Sequence, residues 1–312
     1  MPVDLVSGGQ GGDEAACAPK GSQLTLRPSF GAVVLTMGTR PDELKKALST
    51  LLSQQGVDLD IVVVGNGWTP TDLPEGVRVV ALDENVGIPE GRNIGARESR
   101  GEFILFYDDD AALPTNDVLT RLAAVLCADE RIAIAQPRPV DPTGLPSPRR
   151  WVPRLRVVDG GRAGEVSVFW EGVFAIRRSA FEEVGAWPGF FFYGHEGIDL
   201  AWRLCDAGWK IRYEPSILVN HPATSPTRHA VFYRMNARNR VWVARRNLPQ
   251  PLALMYIATW AAIMVLRVRR PRPLRIWFRG LREGLTTDCG PRAPISWRTV
   301  LQMTASGRPP IV

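Results

Sequence analysis

The feature that most constrains this chain is a series of short, wholly apolar segments alternating with stretches of helical spacing, beginning at Phe30. Residues 32–37 form the first apolar run, and the turn Gly38-Thr39-Arg40-Pro41 follows it. Leu44, Ala47, Leu48, Leu51 and Leu52 then recur on one helix face, so the spacing predicts a helix over 42–54. The same reasoning predicts strands over 60–64, 77–82, 103–107 and 132–135, with helices over 88–97 and 118–127. Pro89 fits a first helical turn, where its missing N–H is not needed.

Strands that are apolar throughout, not alternating, are covered on both faces, and their alternation with helices builds a mostly parallel sheet between helical layers. The fold class is therefore α/β. Ligands of such sheets bind beyond the carboxyl ends of the strands. That edge gathers Thr36, Arg40, Asn66 and the run Asp108-Asp109-Asp110, which points to a nucleotide-type ligand. No GxGxxG follows the first strand and no GxxxxGKS or GxxxxGKT occurs, so the ordinary dinucleotide and P-loop readings lose their main support.

A length of 312 residues suits one large α/β domain with an extension. Hydrophobic residues at 45% and charged residues at 22% exclude a collagen, a coiled coil and wholesale disorder. Residues 1–28, rich in Gly, Ser and other small residues, read as a disordered lead without the pattern of an export signal. Cys17, Cys127, Cys205 and Cys289 lie far apart with no CxxC spacing, which suggests neither a disulfide framework nor a zinc site and makes a reducing compartment the default.

Three adjacent ionised carboxylates repel one another and resist burial, so a cation is expected beside Asp108, Asp109 and Asp110. Oxygen ligands of this kind suit Mg²⁺ or Mn²⁺; a solvated acidic turn is the alternative. His221 closes the apolar run 217–219, as a neutral imidazole ligand or as a satisfied structural residue. A helix opening at Glu196 carries Glu196 and Asp199 on one face; Asp199 has Arg203 at i+4, whereas Glu196 has no evident partner within the helix. Aromatic clusters flank this helix and read mainly as core, with Trp170 and Trp187 as candidate acceptor platforms.

The net charge of +6 is concentrated late, in Arg240, Arg245, Arg246, Arg267, Arg269, Arg270, Arg272, Arg275, Arg279 and Arg282. Just before most of these, residues 252–266 are almost wholly apolar; as a helix they span about 22 Å, short of the roughly 30 Å hydrocarbon core. The pair is expected to lie in an anionic membrane surface, with a buried helix beside a solvated basic face as the alternative. A nucleic-acid partner explains neither the apolar run nor the aspartates and is not expected.

Taken in order, these motifs resemble the family 2 inverting glycosyltransferases of GT-A fold. The family's NxG and RNxG elements are matched by Asn85-Val86-Gly87 and Arg92-Asn93-Ile94-Gly95; its strand entering three aspartates is matched by residues 101–110. Its acidic helix is similar to residues 196–203, and the stretch ending in histidine to Ala207-Gly208-Trp209 through Pro215 to His221. The resemblance covers roughly residues 30–247. It implies that Thr36, Arg40, Asn66, Asn85, Arg92, Asn93, Asp108 and Asp109 line a nucleotide-sugar pocket, and that Asp108, Asp110 and His221 hold Mn²⁺ or Mg²⁺. Two positions depart from the family: Gly65 stands where an aspartate contacts the base, and Gly197 where the second acid of the helix motif serves as catalytic base. Glu196, His195 and Asp199 remain as candidates for that base.

The layout expected is a lead over 1–28, a GT-A domain over 29–247, an apolar and Arg-rich membrane-associating helical extension over 248–285 and a tail over 286–312. The implied activity is metal-dependent, inverting transfer of a sugar from a nucleotide diphosphate donor to a glycan or lipid-linked acceptor of the cell envelope. The expected location is cytoplasmic, peripheral on the inner face of the cell membrane. A sugar-nucleotide nucleotidyltransferase and a catalytically inactive sugar-nucleotide-binding protein are the alternatives.

Overall fold

The computed structural model describes residues 27–223 and 230–311, so the lead expected over 1–28 lies outside them except for its last two residues. The described residues build one eight-stranded sheet of order β3-β2-β1-β4-β7-β5-β8-β6. The strands are β1 (Ser29–Thr36), β2 (Asp58–Asn66), β3 (Val77–Leu82), β4 (Phe103–Asp108), β5 (Ile132–Val140), β6 (Gly164–Val166), β7 (Val173–Arg177) and β8 (Lys210–Asn220). The helices are α1 (Pro41–Leu52), α2 (Ile88–Glu98), α3 (Val118–Cys127), α4 (Arg178–Glu183), α5 (Glu196–Asp206), α6 (Ala230–Asn247), α7 (Gln250–Arg267), α8 (Pro271–Thr286) and α9 (Trp297–Ala305).

The continuous apolar strands are buried on both faces because successive side chains point opposite ways. Ala32, Val34, Ile61, Val63 and Leu105 join a core with Leu48 of α1 and Leu122 of α3. Val33, Val62, Val64, Ile104 and Phe106 join a second core with Ala96 of α2, Leu200 of α5 and Val243 of α6. β1, β2, β3 and β4 pair in parallel, as do β5 and β8. β7, which the periodicity did not predict, is antiparallel to both β4 and β5, and β6 is antiparallel to β8.

That reversal positions the site. Because β7 runs against β4, its start meets the end of β4, and the Asp108 N–H donates to the Gly172 carbonyl at 2.9 Å. β8 runs parallel to β5 and delivers its end to the same edge, where Asn220 bridges to Ala112 and so carries His221 up to the aspartates.

The C-terminal segments pack on this domain. α8 lies against α6 along Gly280 and Gly284, where a Cβ would overlap the Arg234 and Arg238 backbone carbonyls. The expected tail folds back: Ala293 and Ile295 donate to the carbonyls of Arg246 and Asn247, and Thr299 of α9 donates to Asp206 at 2.7 Å. The late arginines divide into two sets. Arg240, Arg245 and Arg246 are engaged inside the fold, with Tyr256, with the Gly284 and Thr287 carbonyls, and with Asp199. Arg267, Arg269, Arg270, Arg272, Arg275, Arg279 and Arg282 are exposed.

Candidate active site

A cleft of about 390 Å³ opens beyond the carboxyl ends of β1, β2 and β4. Thr36, Arg40, Asn66, Asn85, Arg92, Asp108, Asp109, Asp110, Tyr193 and His221 all line it. At its floor one ligand atom from each of Asp108, Asp110 and His221 lies within 4.8 Å of the others. His221 Nε2 is 3.0 Å from Asp110 and 3.4 Å from Asp108, while Nδ1 is 3.0 Å from the Pro222 carbonyl. A proton on Nδ1 would donate to that carbonyl and leave the Nε2 lone pair aimed at the carboxylates, the arrangement a metal-binding imidazole needs. Two carboxylates and one imidazole suit a divalent ion such as Mn²⁺. Burial alone would depress the His221 pKa, but Asp108 and Asp110 outweigh it and push the ring up to about 9. A cation is thus what these carboxylates favour, whether a proton on His221 or a metal ion. Trp170 and Trp151 meet the imidazole edge-on at 5.0 and 5.6 Å and fix its plane.

The middle aspartate does other work. Asp109 accepts from Thr36 Oγ1 at 2.6 Å and pairs with Arg40, which also pairs with Asp110. Burial raises the Asp109 pKa, with Thr36 and Arg40 pulling the other way. Arg92 donates to Asp108 at 2.9 Å, and its other terminal nitrogen is buried with no hydrogen-bond partner among the described residues. Asn66 donates to Asn85 and accepts from the Val86 N–H, which shapes the loop into α2. On the opposite wall, α6 pins the Tyr193 segment. Asn239 Nδ2 donates to the Tyr193 and Gly194 carbonyls at 2.9 and 2.8 Å, holding a turn in which Phe192 and His195 have φ of 64° and 71°.

Several expected residues stand elsewhere. Asn93, expected in the pocket, does not line it; its amide spans the Trp187 backbone, donating to the carbonyl and accepting from the N–H. Trp187, a candidate acceptor platform, is 2% exposed among Phe106, Phe174 and Phe181. Trp170 is likewise buried, as the backing of His221. Asp199, a candidate base, is wholly committed: Arg203, Arg246 and Asn247 hold its two oxygens at 2.7 to 2.9 Å. His195, a second candidate, faces Asn236 and Arg240 of α6; burial holds its pKa well below the ordinary value, with Arg240 acting the same way. Glu196 is 2% exposed, and its neighbour is the carboxylate of Glu171, which the sequence reading passed over. The available signal was a lone acid in the apolar run Phe169-Trp170-Glu171-Gly172-Val173.

Gly65 has a steric reason. A Cβ there would overlap the Trp68 carbonyl and the Pro70 ring, so the loop leaving β2 folds over the position and excludes the aspartate the resemblance implies.

Residues 32–185 match Glycosyl transferase family 2. A pre-mycofactocin glycosyltransferase of Mycobacterium tuberculosis is 28% identical over 178 residues, covering 54% of this chain and 35% of that relative. The chain thus spans about a third of the length of that curated relative. Among solved structures, GalNAc-T7 with UDP, GalNAc and Mn²⁺ superposes with a TM-score of 0.60 at 15% identity, covering 82% of this chain and 55% of that one. The mannosyltransferase PcManGT from Pyrobaculum calidifontis, in complex with GDP-Man and Mn²⁺, gives 0.52 at 18% identity, covering 90% and 80%. At such identities these structures speak to the fold. With the family match and the order of its motifs, residues 32–185 belong to the family 2 glycosyltransferases, and the chain has the GT-A fold.

Proposed function

We propose that this chain transfers a sugar from a nucleoside diphosphate donor to an acceptor hydroxyl, with inversion at the anomeric carbon and with Mn²⁺ or Mg²⁺ held by Asp108, Asp110 and His221. The observation that carries this reading is the convergence of those three ligand atoms at the floor of a cleft lined by Arg40, Arg92, Asn66 and Asn85. A divalent ion held by these residues would supply positive charge to the departing diphosphate. Arg92, already bonded to Asp108, supplies positive charge on the same side, and Arg40 holds Asp109 and Asp110 in place. Asn66 and Asn85 form the wall that meets the nucleoside. The acceptor oxygen attacks as the sugar–phosphate bond breaks, and its proton passes to a base on the protein, with no covalent enzyme intermediate. UDP and GDP, seen in the two structural neighbours, are the donors' nucleotides to try first.

The acceptor we infer is a glycan or lipid-linked molecule of the cell envelope, met at the cytoplasmic face of a membrane. Supporting this, α7 spans Gln250–Arg267, longer than the run 252–266 read from the sequence, and so by length and composition alone could cross a membrane; 11% of it is buried inside the fold, and the exposed arginines from Arg267 onward follow it directly. Ala253 and Tyr256 seat one side of α7 on the domain, while Leu254 and Leu266 are 72% and 76% exposed.

Nucleoside diphosphate release tests the reading, with a panel of UDP- and GDP-sugars and Mn²⁺ or Mg²⁺. Wild type should release it only with the metal, and Asp110→Ala should lose both release and metal-dependent donor binding while staying folded. Normal turnover by that variant would refute the metal assignment.

A further inference from the structure

Glu171 and Glu196 form a carboxylate pair beside the cleft. The Gly197 N–H donates to Glu171 Oε1 at 3.2 Å, and a Cβ on Gly197 would overlap three atoms of the Glu171 side chain. The Glu171 carboxylate therefore fills the space that a side chain at position 197 would take. Position 197 is where the family motif quoted above carries its second acid, so an acid absent from α5 is replaced by one from the segment leading into β7.

The segment that carries Glu171 is tied to the site on both sides. Trp170, one residue before it, packs edge-on against His221, and the Gly172 carbonyl, one residue after, accepts from the Asp108 N–H. Arg92 acts electrostatically on both carboxylates and is bonded to Asp108. The Tyr193 hydroxyl, on the cleft wall, feels both acids as well. Of the two acids Glu171 is the more open, half-buried against 2% exposure for Glu196. Glu196 Oε2 is buried with no hydrogen-bond partner among the described residues, a cost that packing alone does not offset. Burial raises both pKa values, and the Glu196 carboxylate raises that of Glu171 further, so the pair favours sharing one proton.

We propose that Glu171 is the catalytic base, the group that takes the proton from the acceptor hydroxyl. This rests on the glycosyltransferase reading above and adds the residue which that reading leaves unnamed. The acceptor oxygen forms its bond to the anomeric carbon, and the bond from that carbon to the diphosphate oxygen breaks. Its electron pair leaves with the nucleoside diphosphate, and the acceptor proton goes to Glu171. Glu196, whose carboxyl group neighbours it, positions that carboxylate.

The test measures nucleoside diphosphate release from a panel of UDP- and GDP-sugars with Mn²⁺ and with water as acceptor, alongside calorimetric binding of UDP and GDP with Mn²⁺. Glu171→Gln should bind nucleotide as wild type does, lose about 10² to 10⁴ in turnover, and lose the acid limb of the rate–pH profile. Glu171→Ala should be as slow, and Glu171→Ala combined with Gly197→Asp should recover at least about tenfold, because removing Glu171 clears the space for the new carboxylate. Glu171→Gln with turnover close to wild type would overturn the base assignment and leave the glycosyltransferase reading standing. Wild type that neither binds UDP or GDP with Mn²⁺ nor releases either from any donor would overturn that reading, and the base with it.

Discussion

At Asp199, burial works against ionisation, but Arg203 and Arg246 outweigh it and hold the carboxylate below its ordinary pKa. A group whose folded pKa is depressed stabilises the fold above its unfolded value, near 3.9, and that stability is lost as pH falls through the folded pKa. Asp199→Asn leaves Arg246 buried without its counter-charge, so denaturant melts at pH 7 should show a loss of about 3 to 5 kcal/mol. Its stability should also fall less steeply than wild type below about pH 4. Gly65 makes a second residue-scale case: Gly65→Asp should lower the melting temperature and confer no preference for uridine nucleotides in calorimetry, because its Cβ overlaps the Trp68 carbonyl. The proposed metal ligands were legible because two of them stand in a run of three acids at a strand end, where packing offers no explanation. Glu171 was not legible, since its role depends on Gly197, which reaches it only through the fold. Asn93 was misplaced for a related reason: adjacent helix residues point in directions about 100° apart, so Arg92 enters the cleft while Asn93 turns to Trp187.

Elements with a strong period were read closely from sequence. The strand over 77–82 and the helix over 118–127 match β3 and α3 end to end, whereas the strands over 60–64 and 132–135 extend to Asp58–Asn66 and Ile132–Val140. Those extensions include Asp58, Asn66, Gln136, Arg138 and two prolines, which the sheet recruits by pairing, a tertiary effect that local composition does not carry. β7 has five residues, and its apolar run merges with the aromatic residues before it. The contact of α8 with α6 belongs to this scale too. Gly280→Leu should separate the two helices, lowering stability by about 1 to 3 kcal/mol as overpacking does. Donor binding should weaken with it, because Arg238 and Asn239 of α6 hold the Phe191, Tyr193 and Gly194 carbonyls of the segment that forms the cleft wall. Thermal melts and nucleotide titrations of the same variant check both effects.

For the whole molecule, the C-terminal third divides its duties by surface. Its inner side completes the domain, through Ala293 and Ile295 on the Arg246 and Asn247 carbonyls and Thr299 on Asp206, so truncation before α7 should unfold the protein. Its outer side carries the exposed apolar residues of α7 and the arginines beyond it. Flotation with anionic vesicles should therefore retain wild type and weaken with salt, and charge reversal at Arg267, Arg269 and Arg270 should release the protein at about 1 kcal/mol per residue with nucleotide binding intact. The proposed transfer depends on the metal-assisted nucleotide-sugar site. A thermal-shift screen of UDP, GDP and their sugars, each with and without Mn²⁺, tests that site most directly, since ligands of the native state raise its melting temperature by mass action. At least one nucleotide should give a shift that requires Mn²⁺ and vanishes in Asp110→Ala. No metal-dependent shift with any of them, or an undiminished shift in Asp110→Ala, would contradict that site.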